Sequence, residues 1–312
     1  MTGMEQKILD VIIIGGGPGG YTAALYSARA NLKTLVIEKL SAGGQMATTS
    51  QVDNYPGFEE GVDGYELGEK MRQGAERFGV ESLFTEVESV DLNAQPKVIH
   101  TSEGDLLART VILATGANPR EMGLEEEQKL KGRGVAYCAT CDGMFYRNKT
   151  VVVVGGGNTA VADALFLSKI CNKVYLVHRR DQLRASKSYL SALKQSLNIE
   201  FIWNAKVKEI LYDQKVTGVV VEDTESGDNI KVACDGVFVA IGRIPNTDMF
   251  KGQTDLDSGG YIVADETTRT NLPGVFAVGD VRTKPLRQIV TATADGAVAS
   301  KFAEEYIDML SE

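Results

Sequence analysis

Residues 11–20 read VIIIGGGPGG and residues 151–160 read VVVVGGGNTA. In both places an apolar strand pattern runs into a glycine-rich turn, and an alanine-rich helix pattern and a second strand pattern follow, as in a βαβ unit. The glycine spacing allows a tight turn, close approach of the backbone to a pyrophosphate, and close packing of a helix whose N-terminus faces the phosphates. Because each turn lies between a strand and a helix, the sequence predicts two dinucleotide-binding sites.

The two βαβ units are offset by 140 residues, so that Gly15 aligns with Gly155 and Glu38 with His178. Strand patterns cover 7–14 and 33–38 in the first unit, and 150–154 and 173–178 in the second. The helix patterns cover 21–30 in the first unit and run to about residue 170 in the second. The shared order predicts two structurally similar halves.

A shorter repeat, offset by 126 residues, marks the domain boundaries. Two apolar strand patterns end at Gly116 and Gly242, and each is followed three residues later by proline. We expect these points to be the two crossings between domains. The expected fold class is α/β, with two Rossmann-like three-layer nucleotide-binding domains. The first covers 1–117 and 247–312, and the second, 118–246, is inserted into it. Segments 206–221 and 228–239 are expected to cap each sheet as meander strands.

The residues at the end of the second strand of each βαβ unit indicate which nucleotide each site binds. Glu38 stands where a carboxylate accepts hydrogen bonds from both ribose hydroxyls and repels a 2′-phosphate. The second copy has His178 at this place, followed by Arg179, Arg180 and Arg184. Guanidinium groups bind phosphate through charge-assisted, often bidentate hydrogen bonds, so the second site is predicted to take NADPH. Two alternatives stay open: the arginines form a solvated basic face, and His178 simply ends a strand.

The first site is predicted to hold an unphosphorylated adenosine, either of FAD or of NAD. Residues 274–280 read GVFAVGD, an apolar strand that ends at Asp280, whose carboxylate can hold the hydroxyls of a polyol chain. Arg287 and Gln288 follow on a loop that leads into an alanine-rich helix. This late element favours FAD.

Cys138 and Cys141 form a C-x-x-C pair just before the strand of the second glycine turn. The spacing suits a reversible disulfide, and such a setting lowers a thiol pKa toward neutrality. Half of a zinc site is the alternative, but zinc needs four ligands. The other candidate ligands are isolated along the sequence: Cys171, Cys234, His100 and His178. Asp142 either exchanges a proton with a thiolate, if apolar surroundings raise its pKa, or only forms a turn.

Composition excludes several classes of protein. The chain has 312 residues with 33 Lys and Arg against 42 Asp and Glu, a net charge of −9, which argues against nucleic acid as a partner. Its apolar runs are far shorter than the about 20 residues that span a bilayer, and no signal-peptide pattern opens the chain. We therefore expect a cytoplasmic protein with no membrane partner.

Six motifs, spread in order over the whole chain, together resemble those of the bacterial low-molecular-weight thioredoxin reductases. They are Gly15-Gly-Gly-Pro-Gly-Gly-Tyr21, Gly43-Gly44-Gln45, Cys138-Ala-Thr-Cys141-Asp142-Gly143, Gly155-Gly-Gly-Asn-Thr-Ala160, His178-Arg-Arg, and Gly279-Asp280 with Arg287-Gln288. The resemblance implies an NADPH-dependent flavoprotein homodimer with FAD and NADPH as cofactors, thioredoxin as partner and no metal site.

The resemblance also implies roles for individual positions. It assigns to FAD Gly15, Gly17, Pro18, Gly20, Glu38, Lys39, Gly44, Gln45, Asn54, Thr115, Gly116, Gly279, Asp280, Arg287, Gln288 and Ile289. It assigns to NADPH Gly155, Gly157, Asn158, Thr159, Ala160, His178, Arg179, Arg180, Arg184, Gly242 and Arg243. Cys138 and Cys141 are implied to be the redox disulfide, with Asp142 as its acid/base. Arg243 departs from the enterobacterial form, which has histidine in Gly-His-x-Pro-Asn, and this puts one nucleotide contact in doubt.

The implied reaction passes a hydride from NADPH to FAD, then reduces the Cys138–Cys141 disulfide, and ends in dithiol exchange with oxidised thioredoxin. The cysteines belong to the NADPH domain by sequence, so the pair and the nicotinamide cannot easily share one flavin face. We therefore expect a domain rotation between the half-reactions. The alternatives are another C-x-x-C protein as acceptor, a dithiol oxidase, which has no need of NADPH, and a redox sensor without turnover.

Overall fold

The computed structural model describes residues 8–49, 51–186, 191–193 and 195–310. The chain divides into two compact units. The first contains the residues up to Asn118 and those from Ile244 onward, and the second is Pro119–Arg243. Among the helices in the described ranges, none is long and apolar enough to cross a bilayer.

The first unit opens with the predicted βαβ order: β1 (Ile8–Ile14), α1 (Pro18–Arg29) and β2 (Thr34–Glu38). The helix begins three residues before the predicted start, because Pro18 has no N–H to leave unpaired and its fixed φ suits the first helical position. The unit continues with a 3-10 helix (Gly44–Thr48), α2 (Gly64–Glu76), β3 (Glu81–Phe84), β4 (Val87–Asp91), β5 (Lys97–Thr101) and β6 (Gly104–Leu113). The next strand, β7 (Ala117–Pro119), contains the boundary with the second unit.

The sheet of the first unit has the strand order β3-β2-β1-β6-β5-β4, and β17 (Val275–Ala277) also pairs with β6. Successive side chains of β1 point to opposite faces, and both faces are covered. Ile12 and Ile14 pack on the side of β4 and β5, whereas Val11 and Ile13 pack with the alanines of α1 and of the C-terminal helix α6 (Ile289–Met309). Helices, parallel sheet and antiparallel strands thus make three layers.

The second unit repeats this plan. It contains α3 (Glu125–Lys129), β8 (Val135–Ala136), α4 (Ala139–Asp142), a 3-10 helix (Gly143–Tyr146), β9 (Thr150–Val154), α5 (Asn158–Ser168), β10 (Lys173–Val177), β11 (Ile199–Ile202), β12 (Ala205–Tyr212), β13 (Val216–Asp223), β14 (Asn229–Ala233) and β15 (Gly236–Val239). Its parallel sheet has the order β11-β10-β9-β15-β8. Val151 and Val153 pack toward α5, and Val152 and Val154 toward β12 and β13.

The predicted meander segments are partly wrong. Residues 205–233 do form an antiparallel sheet, β12-β13-β14, but only in the second unit. The segment 228–239 is divided, because the fully buried strand β15 leaves the meander and pairs in parallel with β9. The antiparallel layer of the first unit comes instead from β4, β5 and β6.

The chain crosses between units at two short strands, β7 and β16 (Arg243–Pro245), which pair with each other. Gly116 and Gly242, just before these strands, have φ of 71° and 110°, values that glycine adopts without strain. Within the first unit the Asn246 N–H donates to the Gly116 carbonyl at 3.0 Å, and within the second the Arg120 N–H donates to the Gly242 carbonyl at 2.9 Å. The predicted crossings therefore lie side by side.

One buried ionic cluster stabilises the last part of the first unit, which includes the 3-10 helices Asp248–Phe250 and Gly279–Val281. Asp295 on α6 accepts hydrogen bonds from Arg282 at 2.9 and 3.0 Å and from Lys284 at 2.7 Å. All three side chains are buried. Since a buried charge without a partner is costly, Asp295 neutralises part of a positive cluster that would otherwise oppose folding.

Candidate active site

The first glycine turn leaves β1 and enters α1. Gly15 has φ 108°, and a Cβ on Gly20 would collide with the Gly15 carbonyl, so the helix packs directly on the turn. Gly17 is the N-cap of α1, and a Cβ there would meet nothing within 4 Å. Backbone N–H groups at a helix start beside open space form a cradle for a pyrophosphate.

Glu38, at the end of β2, is held against this turn. Its Oε2 accepts a hydrogen bond from the Gly16 N–H at 2.7 Å, and its Oε1 accepts from the Lys39 N–H at 2.8 Å. The Lys39 ammonium lies elsewhere, paired with Glu86 at 2.6 Å. The anchored carboxylate fits an unphosphorylated ribose and would repel a 2′-phosphate.

Other predicted residues of the first site meet across long sequence distances. Asn54 donates to the Gln288 side chain at 3.0 Å. The Arg287 guanidinium donates to the Asp280 carbonyl at 3.3 Å and lies over the Tyr261 ring at 4.0 Å. Ile289 is the first residue of α6, directly after the Gln288 N-cap. Five of the predicted positions therefore meet around the loop before α6.

The remaining predicted positions of the first site line the same edge of the sheet. Gly44 has φ 56°, and a Cβ on it would lie 3.4 Å from Gly17 Cα. The Gln45 side chain donates to the Ala117 carbonyl at 2.6 Å, and the Thr115 hydroxyl donates to the Asn246 carbonyl at 2.7 Å. Gly279 follows β17 with φ 72°. All of these residues come after the carboxyl ends of parallel strands, where α/β sheets bind ligands.

The second glycine turn has the same construction. A Cβ on Gly155 would collide with the Ala240 carbonyl, whereas one on Gly157 would meet nothing within 4 Å. The Arg184 N–H donates to the Gly156 carbonyl at 2.7 Å, so the arginine segment folds back onto the turn. Near it, the Asn158 side chain accepts a hydrogen bond from the Ser186 N–H at 2.9 Å. Open space at Gly157 again fits a pyrophosphate at the start of α5.

The arginine cluster and His178 differ in exposure. Arg179, Arg180 and Arg184 are exposed, whereas His178 is only 4% exposed and its ring packs against Gly156. Burial lowers the pKa of His178, and the three guanidinium groups add to this shift, whereas a hydrogen bond with the Gln182 backbone opposes it. The net shift is downward, which favours the neutral imidazole. His178 therefore packs against Gly156 in the second unit as Glu38 packs against Gly16 in the first, and the exposed arginines follow it in the sequence.

The other predicted positions of the second site lie around the turn. Thr159 is exposed, and Ala160 is buried against Gly155. Gly242 and Arg243 follow β15, the neighbour of β9. Sequence reasoning missed Asp163 on α5, whose pKa burial raises to about 7 against the opposing charge of Arg243. Its only sequence signal is its place on the helix that follows the glycine turn.

The cysteine pair is joined in a disulfide, with 5.3 Å between the two Cα atoms. Cys138 is the N-cap of α4, and the Asp142 N–H donates to the Cys138 carbonyl at 3.1 Å, which places Asp142 one helical turn after Cys138. Burial raises the pKa of Asp142 to about 6, and the Lys131 ammonium opposes this shift. A carboxyl with this pKa can both hold and release a proton near neutral pH.

A buried carboxylate that the sequence did not indicate holds the segment just before the cysteine pair. Glu127 is 0% exposed and accepts hydrogen bonds from the Met122 and Gly123 N–H groups, both at 3.0 Å, and from the Tyr137 hydroxyl at 2.8 Å. Burial raises the pKa of Tyr137, and the hydrogen bond to Glu127 adds to the shift, so the phenol stays a donor. This carboxylate ties the start of the second unit to the residue before Cys138.

The other two cysteines, Cys171 and Cys234, are buried thiols that stay protonated at neutral pH. Burial raises the pKa of Cys171 to about 11 and that of Cys234 to about 12. The Cys171 thiol donates to the Tyr146 carbonyl at 3.2 Å. Within the described ranges, no group of three His, Cys, Asp or Glu side chains is arranged to hold a metal ion. Both cysteine side chains pack as small buried residues.

Comparisons with known proteins agree with this arrangement. Residues 9–296 match the family described as pyridine nucleotide-disulphide oxidoreductase. The chain is 47% identical over 309 residues to the thioredoxin reductase of Listeria monocytogenes, covering 99% of this chain and 97% of that protein.

Solved structures are similar over the same length. The thioredoxin reductase of Streptococcus pyogenes has a TM-score of 0.90 and 42% identity, covering 97% of this chain and 99% of that chain. The enzyme of Giardia duodenalis has a TM-score of 0.91 and 38% identity, covering 97% and 100%. With two glycine turns and a C-x-x-C disulfide in the order that the sequence predicts, the chain belongs to the pyridine nucleotide-disulphide oxidoreductase family.

Proposed function

We propose that the protein is an NADPH:thioredoxin-disulfide oxidoreductase, a thioredoxin reductase. The observation that carries the proposal is the half-buried Cys138–Cys141 disulfide, which is followed directly by Asp142. The same unit contains the second glycine turn and, on the segment that folds back onto it, three exposed arginines. The Listeria, Streptococcus and Giardia relatives, all of them named thioredoxin reductases, match over nearly the whole chain and support the assignment.

The cofactors are FAD and NADPH, which when bound supply the hydride and electron transfer that reduces the disulfide. In the proposed assignment the first unit is the FAD domain, with Glu38 on the ribose and the Gly17 N-cap at the pyrophosphate. The second unit is the NADPH domain, where Arg179, Arg180 and Arg184 neutralise the 2′-phosphate. The open space at both N-caps supports a pyrophosphate at each turn, and Glu38 in the first unit against the three arginines in the second supports this division.

The cysteines and Asp142 carry out the exchange with the substrate. In the reduced pair one thiolate attacks the substrate disulfide, forms a mixed disulfide and displaces a substrate thiolate. The second cysteine then attacks the mixed disulfide, so that the Cys138–Cys141 bond forms again and the substrate leaves as a dithiol. Asp142 supplies the proton that a departing thiolate takes up, and its raised pKa suits this role.

A protein substrate is favoured by the surface next to the disulfide. Met144 and Phe145 follow Asp142 on a 3-10 helix, and each is 49% exposed. Two adjacent exposed apolar side chains beside a redox pair favour the apolar face of a protein over a small charged thiol. Thioredoxin, a C-x-x-C protein, is the proposed partner.

The expected domain division, 1–117 with 247–312 and 118–246, forms part of the proposal, as does rotation about the crossings near Gly116 and Gly242. A crosslink between the domains should abolish turnover, and unchanged turnover would contradict the rotation. From the resemblance we further propose a cytoplasmic homodimer with neither nucleic acid nor membrane as partner. The net charge of −9 supports the exclusion of nucleic acid.

The test is reduction of the host's own thioredoxin by NADPH, with Cys141→Ser as the variant. Wild type should reduce thioredoxin catalytically, and the variant should lose this activity while NADPH still bleaches the flavin absorbance. Equal loss of both activities would contradict the role of Cys141. Catalytic reduction of a different C-x-x-C protein, with thioredoxin left oxidised, would replace the proposed acceptor.

A further inference from the structure

Trp203, the only tryptophan of the chain, lies directly after β11 and beside the arginine turn of the second unit. The residues on either side of it, Ile202 and Asn204, form backbone hydrogen bonds with that turn. The Ile202 carbonyl accepts a hydrogen bond from the His178 N–H at 2.9 Å, and the Asn204 N–H donates to the Arg180 carbonyl at 3.3 Å. The backbone thus fixes Trp203 between the two residues that hold the turn.

The indole also has a fixed set of ring neighbours. The Phe201 ring stacks on it, with 4.8 Å between centroids and 2° between planes. The His178 ring meets it edge-on at 6.5 Å. Among the described residues, His178 Nε2 is buried without a hydrogen-bond partner, so the indole and an unsatisfied polar atom lie side by side. Trp203 itself is only partly buried and keeps surface for a ligand.

The first unit has an aromatic residue at the same place. Glu38 on β2 pairs in register with Phe84 on β3, and Phe84 is 45% exposed. In the second unit β10 pairs with β11 up to Val177 and Ile202, which sets Trp203 opposite His178, the equivalent of Glu38. The flavin and the nicotinamide differ, so the part that the two proposed ligands share is the adenosine. A shared aromatic position therefore points to the adenosine.

We infer that Trp203 contacts the adenine of the bound pyridine nucleotide and is a binding determinant of the second site. This inference rests on the proposed NADPH site. The arginines that follow His178 hold the 2′-phosphate, and the base projects from the same ribose, so it lies on the adjacent strand end. Aromatic side chains bind bases by stacking, and every base offers a π face.

The test uses 2′,5′-ADP, which has the adenine and the 2′-phosphate but no nicotinamide, in calorimetric titrations of the flavin-loaded enzyme. Trp203→Ala should weaken binding about tenfold, equivalent to about 1.4 kcal/mol. Trp203→Phe should stay within about threefold of wild type, because a ring remains. Tyr212→Ala, a partly exposed aromatic of the same unit on β12, is the matched control and should bind like wild type.

The ratio of NADPH to NADH affinity gives the second readout. Trp203→Ala should weaken both nucleotides by the same factor, because they share the base. Wild-type affinity in Trp203→Ala would overturn the inference. So would equal losses in the phenylalanine and alanine variants, since the indole would then only support His178. Failure of wild type to bind 2′,5′-ADP would instead refute the proposed NADPH site, on which the inference depends.

Discussion

Asp142→Asn is expected to make the protein more stable and less active, with an effect that depends on pH. Burial raises the pKa of this carboxyl from 3.8 to about 6, and one pKa unit corresponds to about 1.4 kcal/mol. The ionised carboxylate therefore destabilises the folded second unit by up to about 3 kcal/mol.

The sign follows from the two pKa values. The folded protein keeps the Asp142 proton to higher pH than the unfolded chain does, so the wild type loses stability as pH rises from about 4 to about 6 and then levels off. Asparagine is neutral throughout. The stabilisation by Asp142→Asn should therefore grow by about 2 kcal/mol between about pH 4.5 and about pH 8.

Urea unfolding followed by the fluorescence of Trp203 measures this difference, because the only tryptophan lies in the second unit. Asp213→Asn, an exposed carboxylate in the same unit, is the control and should change the free energy of unfolding by less than about 0.5 kcal/mol at either pH. Equal stabilisation at both pH values would refute the buried-carboxyl argument. Thioredoxin reduction should fall by about 10²-fold or more, while NADPH still reduces the flavin.

Three further predictions concern other charged groups. Replacing Arg179 and Arg180 by glutamine should raise the KM for NADPH at least about tenfold and leave that for NADH nearly unchanged; steady-state kinetics with both nucleotides would show an unaltered preference if the phosphate assignment is wrong. Asp295→Asn should lower the free energy of unfolding by about 3–5 kcal/mol, because two buried cations lose their counter-charge; a loss below about 1 kcal/mol in urea unfolding would contradict this. Tyr137→Phe should cost about 1–2 kcal/mol, and Glu127→Gln should cost more; the reverse order in the same unfolding assay would contradict the central place of the carboxylate.

The glycine turns could be predicted because their signal is local. Strand, turn and helix follow one another within about 25 residues at Gly15 and at Gly155, and the structure confirms both βαβ units. The boundary errors are also local in origin. The helix α1 begins earlier than predicted because proline suits its first position. The strand β15 belongs to the parallel sheet and not to the predicted meander, because all four of its residues are buried.

The residues and contacts that the sequence did not indicate depend on tertiary packing. Trp203 reaches His178 only because β10 and β11 pair in parallel across a long connection. His178 is buried because Gly156 has no side chain and the ring fills that space. Glu127 meets Tyr137 because Gly132 and Gly134, with φ of 73° and 122°, turn the chain between them. None of these partners is visible in hydrophobic periodicity.

Because the two crossings are adjacent, the second unit can be exchanged as one continuous segment. β7 and β16 are paired, and neighbouring strands lie about 4.8 Å apart, so the chain of the first unit is cut at two adjacent points. A graft therefore needs only two junctions, after Asn118 and before Ile244. Under the proposed assignment, exchanging 119–243 for the matching segment of a relative should transfer the nucleotide preference and the cysteine pair together, while the sheet of the recipient stays intact. Closing the gap with a short turn would give the first unit as a single continuous chain.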